Sequence, residues 1–285
     1  MEKMPKIALL RWDADQISDV LMKLETLPGN STNPESYPFD VALVHVKGAN
    51  MDTVEVNPCQ EMLDEYIRVC KELAAQGVKA ITTSCGFNAY YQEALAAAVP
   101  EVVFTSSLLQ VPFAQTIVGK NGKVAILTAN SNDLTEEHLA RANITNRENV
   151  LIYSMHEQPE WSRVYSDPNG PFDLDAVASE VVDVLRKGLE EHPDIGAVVF
   201  ECTDLPPFAS RVREELGLPV FDFNSMVGHI AMALNIHKLY RFYKQISADC
   251  RFPIIMIPVA VDYLRGFCTC GHYSSQIHIA FEKQW

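Results

Sequence analysis

A chain of 285 residues, 48% hydrophobic and 21% charged, carries enough apolar material for one large domain or two compact lobes. Its formal net charge of -14 excludes the basic surface that nucleic acid needs and argues against anionic membranes, so neither partner is expected. A small acidic substrate stays compatible, because backbone N–H groups can hold a carboxylate inside an acidic protein.

The N-terminus, Met1-Glu2-Lys3-Met4-Pro5, is followed only by a strand-sized apolar run. Neither a signal peptide nor a membrane span is expected, and the location reads as cytoplasmic. The later apolar run at residues 254–261 is short and contains Pro258, which fits a strand or a packed tail. Cysteines stay reduced in the cytoplasm, and seven of them without framework spacing argue against a disulfide scaffold.

Strand-length apolar runs alternate with longer helical patterns, the signature of an α/β fold with a mainly parallel sheet. Lys6-Ile7-Ala8-Leu9-Leu10 predicts a first buried strand. Residues 39–46 predict a second, after the Pro- and Asn-containing loop 28–38. Met62, Leu63, Tyr66, Ile67, Cys70 and Leu73 recur at helical spacing over 58–76, and Gly77 is placed to end that helix. A strand over 78–83 leads to Cys85, followed by a helix through Ala98, a short strand over 102–105 and a helix over 108–118. The order then restarts. Lys123-Val124-Ala125-Ile126-Leu127 repeats the first strand, Cys202 repeats Cys85, and Phe221 repeats Phe104, all at one offset of 117 residues. Buried strands draw on few residue types, so one such match is weak. Three at a single offset indicate an internal duplication.

The loops differ between the halves. Residues 149–155 match 39–46 only at an offset nearer 110, and the polar stretch 156–171 makes up the difference. A loop of that length often covers a site. The division this implies puts 1–110 with 225–285 in a first lobe carrying Cys85, and 111–224 in a second carrying Cys202. A helix over 225–245 should pack back on the first lobe, and the tail from Cys250 fits no part of the repeat.

Cys85 and Cys202 are the candidate catalytic residues. Each follows a strand and precedes a helix, where ligands of doubly wound sheets collect and where a helix dipole lowers a thiol pKa. Two thiols facing one ligand suit proton removal beside a carbonyl on one side and proton return on the other. Such chemistry needs neither a metal nor an organic cofactor. Cys59, Cys70 and Cys250 lack this setting and read as structural or surface thiols. Cys268-Thr269-Cys270-Gly271-His272 has no second ligand pair, so no metal site is expected there. His229 and His237 read as helix packing or surface. Thr83 and Ser84 before the first thiol, and Thr203 and Asp204 after the second, are candidate substrate contacts. Asp13 and its repeat counterpart Asn130 also lie just past strands and can reach the same cleft.

Thr82-Thr83-Ser84-Cys85-Gly86-Phe87 and Glu201-Cys202-Thr203-Asp204-Leu205-Pro206 resemble the aspartate/glutamate racemase superfamily, over about residues 7–227. That superfamily includes amino-acid and hydantoin racemases, arylmalonate decarboxylase and maleate isomerase. The resemblance implies two pseudo-symmetric Rossmann-like lobes, a cleft between them with one cysteine from each, and a homodimer. It implies a racemase or epimerase acting by two-cysteine proton transfer on an amino acid or related small carbon acid carrying a carboxylate or carbonyl. A decarboxylase or cis–trans isomerase on the same fold is the alternative, and a non-catalytic binding protein a further one. The chain departs from the racemase pattern where Gly86 and Phe87 replace Asn-Thr, where Asp204 replaces histidine, and where Glu201 replaces a common glycine. Gly86 and Phe87 join the candidate substrate contacts, with Phe87 making the pocket more apolar. Glu201 and Asp204 should raise the Cys202 pKa and repel a side-chain carboxylate, which disfavours glutamate.

Overall fold

Aliphatic and β-branched runs bounded by polar turns form the strands, and the computed structural model describes residues 4–236. His237, Cys250, the 254–261 run and the Cys268 to His272 motif lie outside the described residues. The first half runs β1 (Ile7–Arg11), α1 (Asp19–Glu25), β2 (Val41–His45), α2 (Gln60–Ala75), β3 (Ala80–Thr83), α3 (Gln92–Ala98), β4 (Val102–Val103) and α4 (Val111–Val118). The second runs β5 (Lys123–Thr128), α5 (Glu136–Arg141), β6 (Val150–Ser154), α6 (Arg163–Ser166), α7 (Leu174–Glu191), β7 (Ile195–Phe200), α8 (Ala209–Leu216), β8 (Val220–Phe221) and α9 (Phe223–Ala233).

The strands form two four-stranded parallel sheets, ordered β2-β1-β3-β4 and β6-β5-β7-β8. The repeat is visible in the register itself. Leu10 pairs with Thr83 and Ile81 with Val103, while Leu127 pairs with Phe200 and Val198 with Val220. Each second pair lies 117 residues after the first. Among the described residues no helix is long and apolar enough to cross a membrane.

Alternation along the strands sorts the core. Ala8 and Leu10 join Val124 and Ile126 in one continuous cluster, so the halves share a core. Ala125 and Leu127 face a second cluster with Val181 and Leu185 of α7. Ile7 and Leu9 pack on Phe223, Met226 and Val227 of α9, so this helix returns to the first sheet. The helices that follow the first strand of each half behave less simply. Val20 and Leu24 of α1 are buried in the second half's cluster, and Leu139 of α5 lies in the core beside Phe87 and Leu10. Each half thus lends the helix after its first strand to the other.

Local chemistry accounts for the element ends. In α2 Met62, Tyr66, Val69, Cys70 and Leu73 make the buried stripe. It stops at Gly77, whose φ of +87° only glycine takes freely, with the Gly77 and Val78 N–H groups donating to the Ala74 and Leu73 carbonyls. The helix expected directly after Cys85 starts as a tighter 3₁₀ helix (Gly86–Tyr91) before α3. The strand expected over 102–105 keeps only its first two residues as ladder, because the chain then turns into the 3₁₀ segment Ser107–Gln110. Within the polar stretch 156–171 the structure adds α6.

Candidate active site

The two thiols are presented by equivalent backbone. The Ser84 N–H donates to the Leu10 carbonyl at 2.7 Å, and the Glu201 N–H donates to the Leu127 carbonyl at 2.8 Å. Each bond carries the chain one residue past its strand, and the thiol follows. Side chains then lock the turns. The Thr83 hydroxyl donates to the Thr105 and Cys85 carbonyls at 2.6 and 3.0 Å. Across the halves, the Thr203 hydroxyl donates to the Ser84 carbonyl at 2.6 Å and the Ser107 hydroxyl to the Phe200 carbonyl at 2.6 Å. The segments carrying Cys85 and Cys202 are therefore tied directly to one another.

Both thiols line one small cavity of about 40 Å³. Of the residues expected to contact substrate, Ser84, Gly86, Phe87, Thr203 and Asp204 line it as well, whereas Asp13, Thr83 and Asn130 do not. Asp13 accepts the Gly48 N–H at 2.9 Å and so braces the turn after β2. The Asn130 side chain is used by Asp133 and by the Asn132 N–H at 3.1 Å. In both cases a short polar side chain at a strand end satisfies loop groups, those of the neighbouring turn for Asp13 and of its own loop for Asn130.

Four acidic side chains, Glu25, Glu55, Glu201 and Asp204, complete the polar lining. None of the described lining residues is Lys, Arg or His. Glu55 comes from a π-helical turn (Asp52–Val56), a geometry that recurs at functional sites. The Cys85 thiol donates to its Oε1 at 3.5 Å. Asp204 is held by the Asn30 amide at 2.8 Å, and its own N–H donates to the Cys202 sulfur at 3.5 Å. The Cys202 thiol lies 3.9 Å from Asp204 Oδ2. Arg11 is ion-paired with Glu25. Aromatic rings close the space: Trp12 from the end of β1, and Trp161 and Tyr165 from the 156–171 segment, which leans on α1 through the Val20 N–H bonded to the Pro168 carbonyl at 2.9 Å.

These neighbours reverse the thiol acidity expected from the helix starts. Burial, then Glu55 and Glu201, hold the Cys85 thiol well above its ordinary value. Burial, then Asp204 and Glu201, do the same to Cys202, as their charges had implied. The amide N–H groups of Phe87 and Asp204 pull the other way and are outweighed, because desolvation and like charge act on the thiolate together.

The carboxyls are shifted in the same sense. Glu55 is pushed up to about 8, first by burial and then by Glu201, with the Cys85 hydrogen bond opposing. Glu201 is pushed up to about 7 by burial, against the hydrogen bond from Thr128 at 2.8 Å. Glu25 and Asp204 are raised by burial too. A carboxyl whose pKa is higher folded than unfolded binds its proton more tightly in the native state. Its contribution to stability is complete below the ordinary 4.5 and is lost as pH rises through the folded values of about 7 and 8. The ligand-free protein should accordingly melt at a lower temperature near pH ~8.5 than near pH ~6, with Glu201→Gln flattening the slope. Calorimetry at fixed ionic strength reads this, and a melting temperature that climbs over the same range contradicts it.

Glu25, Glu55, Trp12, Trp161 and Tyr165 were not among the candidates read from sequence. The unequal length of the 156–171 segment was the one signal that pointed toward two of them.

The two four-stranded parallel sheets flanked by helices have the fold of solved racemase and arylmalonate decarboxylase structures. Solved structures agree at the level of fold. A mutant of arylmalonate decarboxylase matches with TM-score 0.52 and 19% identity, covering 81% of this chain and 93% of that one. Allantoin racemase from Klebsiella pneumoniae matches with TM-score 0.53 and 13% identity, over 81% and 89%. An aspartate racemase homologue from Pyrococcus horikoshii OT3 gives TM-score 0.53 and 16% identity, over 81% and 99%.

In sequence the chain is similar to a different set of enzymes. It is 30% identical over 202 residues to the dimethylsulfoniopropionate lyase of Durusdinium sp. clade D, covering 69% of this chain and 66% of the relative. It is 29% identical over 205 residues to dimethylsulfoniopropionate lyase 7 of Emiliania huxleyi (strain CCMP1516), covering 68% and 59%. The chain thus spans about 59 to 66% of the length of these curated relatives. No family model matches it. These similarities overturn the expected racemase with two-base proton transfer between Cys85 and Cys202. The sequence relatives break a bond rather than invert a centre, which sides with the bond-breaking alternative on this fold.

Proposed function

We propose that this chain is a lyase that removes a leaving group from the carbon β to a carboxylate, with dimethylsulfoniopropionate as the substrate. The observation that carries it is a small cavity where two thiols stand among carboxylates with no basic side chain in the described lining. Such a lining repels a second carboxylate, as in aspartate, glutamate or a malonate, and accepts a substrate whose far end is positive. Similarity to the lyases supports the reading independently.

Cys202 acts as the base. It keeps some accessible surface, whereas Cys85 is 6% exposed with its proton committed to Glu55. The thiol proton passes to Asp204, and the Asp204 N–H holds the resulting thiolate. A cation arriving in the cavity offsets the surrounding negative charge and makes that ionisation easier. Cys202 then takes the proton from the carbon beside the carboxylate. The C–H electron pair becomes the new C=C bond, the C–S bond breaks, and its electrons leave with sulfur. The products are neutral dimethyl sulfide, acrylate and one proton, which returns to solvent. Trp12, whose buried indole N–H has no protein partner, lines the cavity and can donate to the carboxylate as charge builds on it.

Incubating the purified chain with dimethylsulfoniopropionate should release dimethyl sulfide, read by gas chromatography, and acrylate, read by NMR, in equal amounts. Exchange of the α-protons with heavy water without any acrylate would overturn the lyase.

A further inference from the structure

We infer that the cavity contains a subsite for a peralkylated cation, with Glu55 and Glu201 as its counter-charges and the rings of Trp12, Trp161 and Tyr165 as its walls. This deepens the lyase reading and rests on it for the carboxylate end of the ligand.

The argument starts from two oxygens. Glu55 is 8% exposed and Glu201 fully buried. One oxygen of each is satisfied, Oε1 of Glu55 by the Cys85 thiol and Oε2 of Glu201 by Thr128. Glu55 Oε2 and Glu201 Oε1 have no partner within the protein. A buried carboxyl oxygen left bare forfeits its hydration for nothing, and native structures rarely keep two in one cavity unless a ligand completes them. Both residues line the same space.

The chemistry of the missing partner follows from what else is there. It carries positive charge, because both bare groups are carboxyls that stand with two further acids, Glu25 and Asp204, and a cation favours their ionised form. A metal ion is a poor fit, since among the described residues no group of three or more His, Cys, Asp or Glu is arranged to hold one. A primary ammonium needs three well-placed acceptors. Aromatic and aliphatic groups make up much of the rest of the lining, with Leu21, Met51 and Val164 beside the rings. A sulfonium or quaternary ammonium has no N–H to satisfy, and it is held by aromatic faces and diffuse negative charge. That is the combination present.

The test compares two molecules of the same shape and different charge, 3-(trimethylammonio)propionate and 4,4-dimethylpentanoate, by isothermal titration calorimetry at neutral pH. The cation should bind at least about tenfold more tightly, the order of a single well-placed charge or cation–π contact. Glu55→Gln, which keeps shape and suits a carboxyl neutral at rest, should melt normally and bring the two ligands within about threefold. Equal binding by wild type would overturn the subsite. So would 3-aminopropionate binding as tightly as its trimethyl analogue, since the site would then read N–H groups. Charge-selective binding without any dimethyl sulfide release would refute the lyase and leave the subsite standing. Release of the sulfide without charge selectivity would do the reverse.

Discussion

Cys202→Ala is expected to lower kcat for dimethyl sulfide release by about 10²–10⁴-fold, the usual contribution of a positioned base. The thiol is small and partly accessible, so its loss leaves the fold intact and melting should barely move. Cys85→Ala should cost much less in rate. Its thiol is spent on Glu55, and removing it leaves a third bare carboxyl oxygen rather than a missing base. The inequality is the informative part. A symmetric two-base mechanism loses everything with either thiol, whereas an elimination needs one. Near-equal losses in the two variants, measured by steady-state kinetics on folded protein, would sink the assignment of Cys202 as base.

The second large effect is expected at Gly86. A β-carbon there would lie 2.1 Å from Glu201 Oε1 and 2.2 Å from the Glu201 carbonyl oxygen. The carboxylate could swing away, but the carbonyl belongs to the segment hydrogen-bonded to β5 and cannot. Gly86→Ala should therefore destabilise by about 1–3 kcal/mol, a fall in melting temperature on the order of 5–10 °C. Turnover should fall too, because Glu201 adjoins Cys202. Glu201→Ala in the same background relieves only the side-chain half of the clash and should restore part of the stability. A Gly86→Ala protein that melts and turns over like wild type would show that the contact is not tight.

That contact also unites two departures from the racemase pattern. Position 86 carries glycine where a larger residue is usual, and position 201 carries glutamate where glycine is usual. A side chain at position 86 would meet that of Glu201 as well as its carbonyl. The sequence displays both changes, yet nothing in it shows that they meet across the halves.

Legibility followed the duplication closely. Three of the four strands of each half and the two cysteines sit on the 117-residue offset, and buried strands cannot shift register without turning side chains to the wrong face. The same regularity concealed the rest. Glu55 lies in a polar stretch with no distinguishing pattern, and its π turn depends on tertiary contacts. Trp161 and Tyr165 sit where the offset fails. The exchange of α1 and α5 between halves could not be read either, because an amphipathic helix shows that one face is buried and not in which core. Thiol acidity went wrong for a related reason: the helix starts are local, while Glu55 and Glu201 are brought in by the fold.

The two connections that escape the repeat occupy matching places. One follows β2 and delivers Glu55; the other follows β6 and delivers Trp161 and Tyr165. Each is the crossover after the second strand of its half. The paired-thiol frame is thus held fixed by register, while two crossovers outside the repeat add Glu55 on one side and two aromatic rings on the other. Residues 46–59 and 155–173 can therefore vary in length and composition while the eight strands stay as they are.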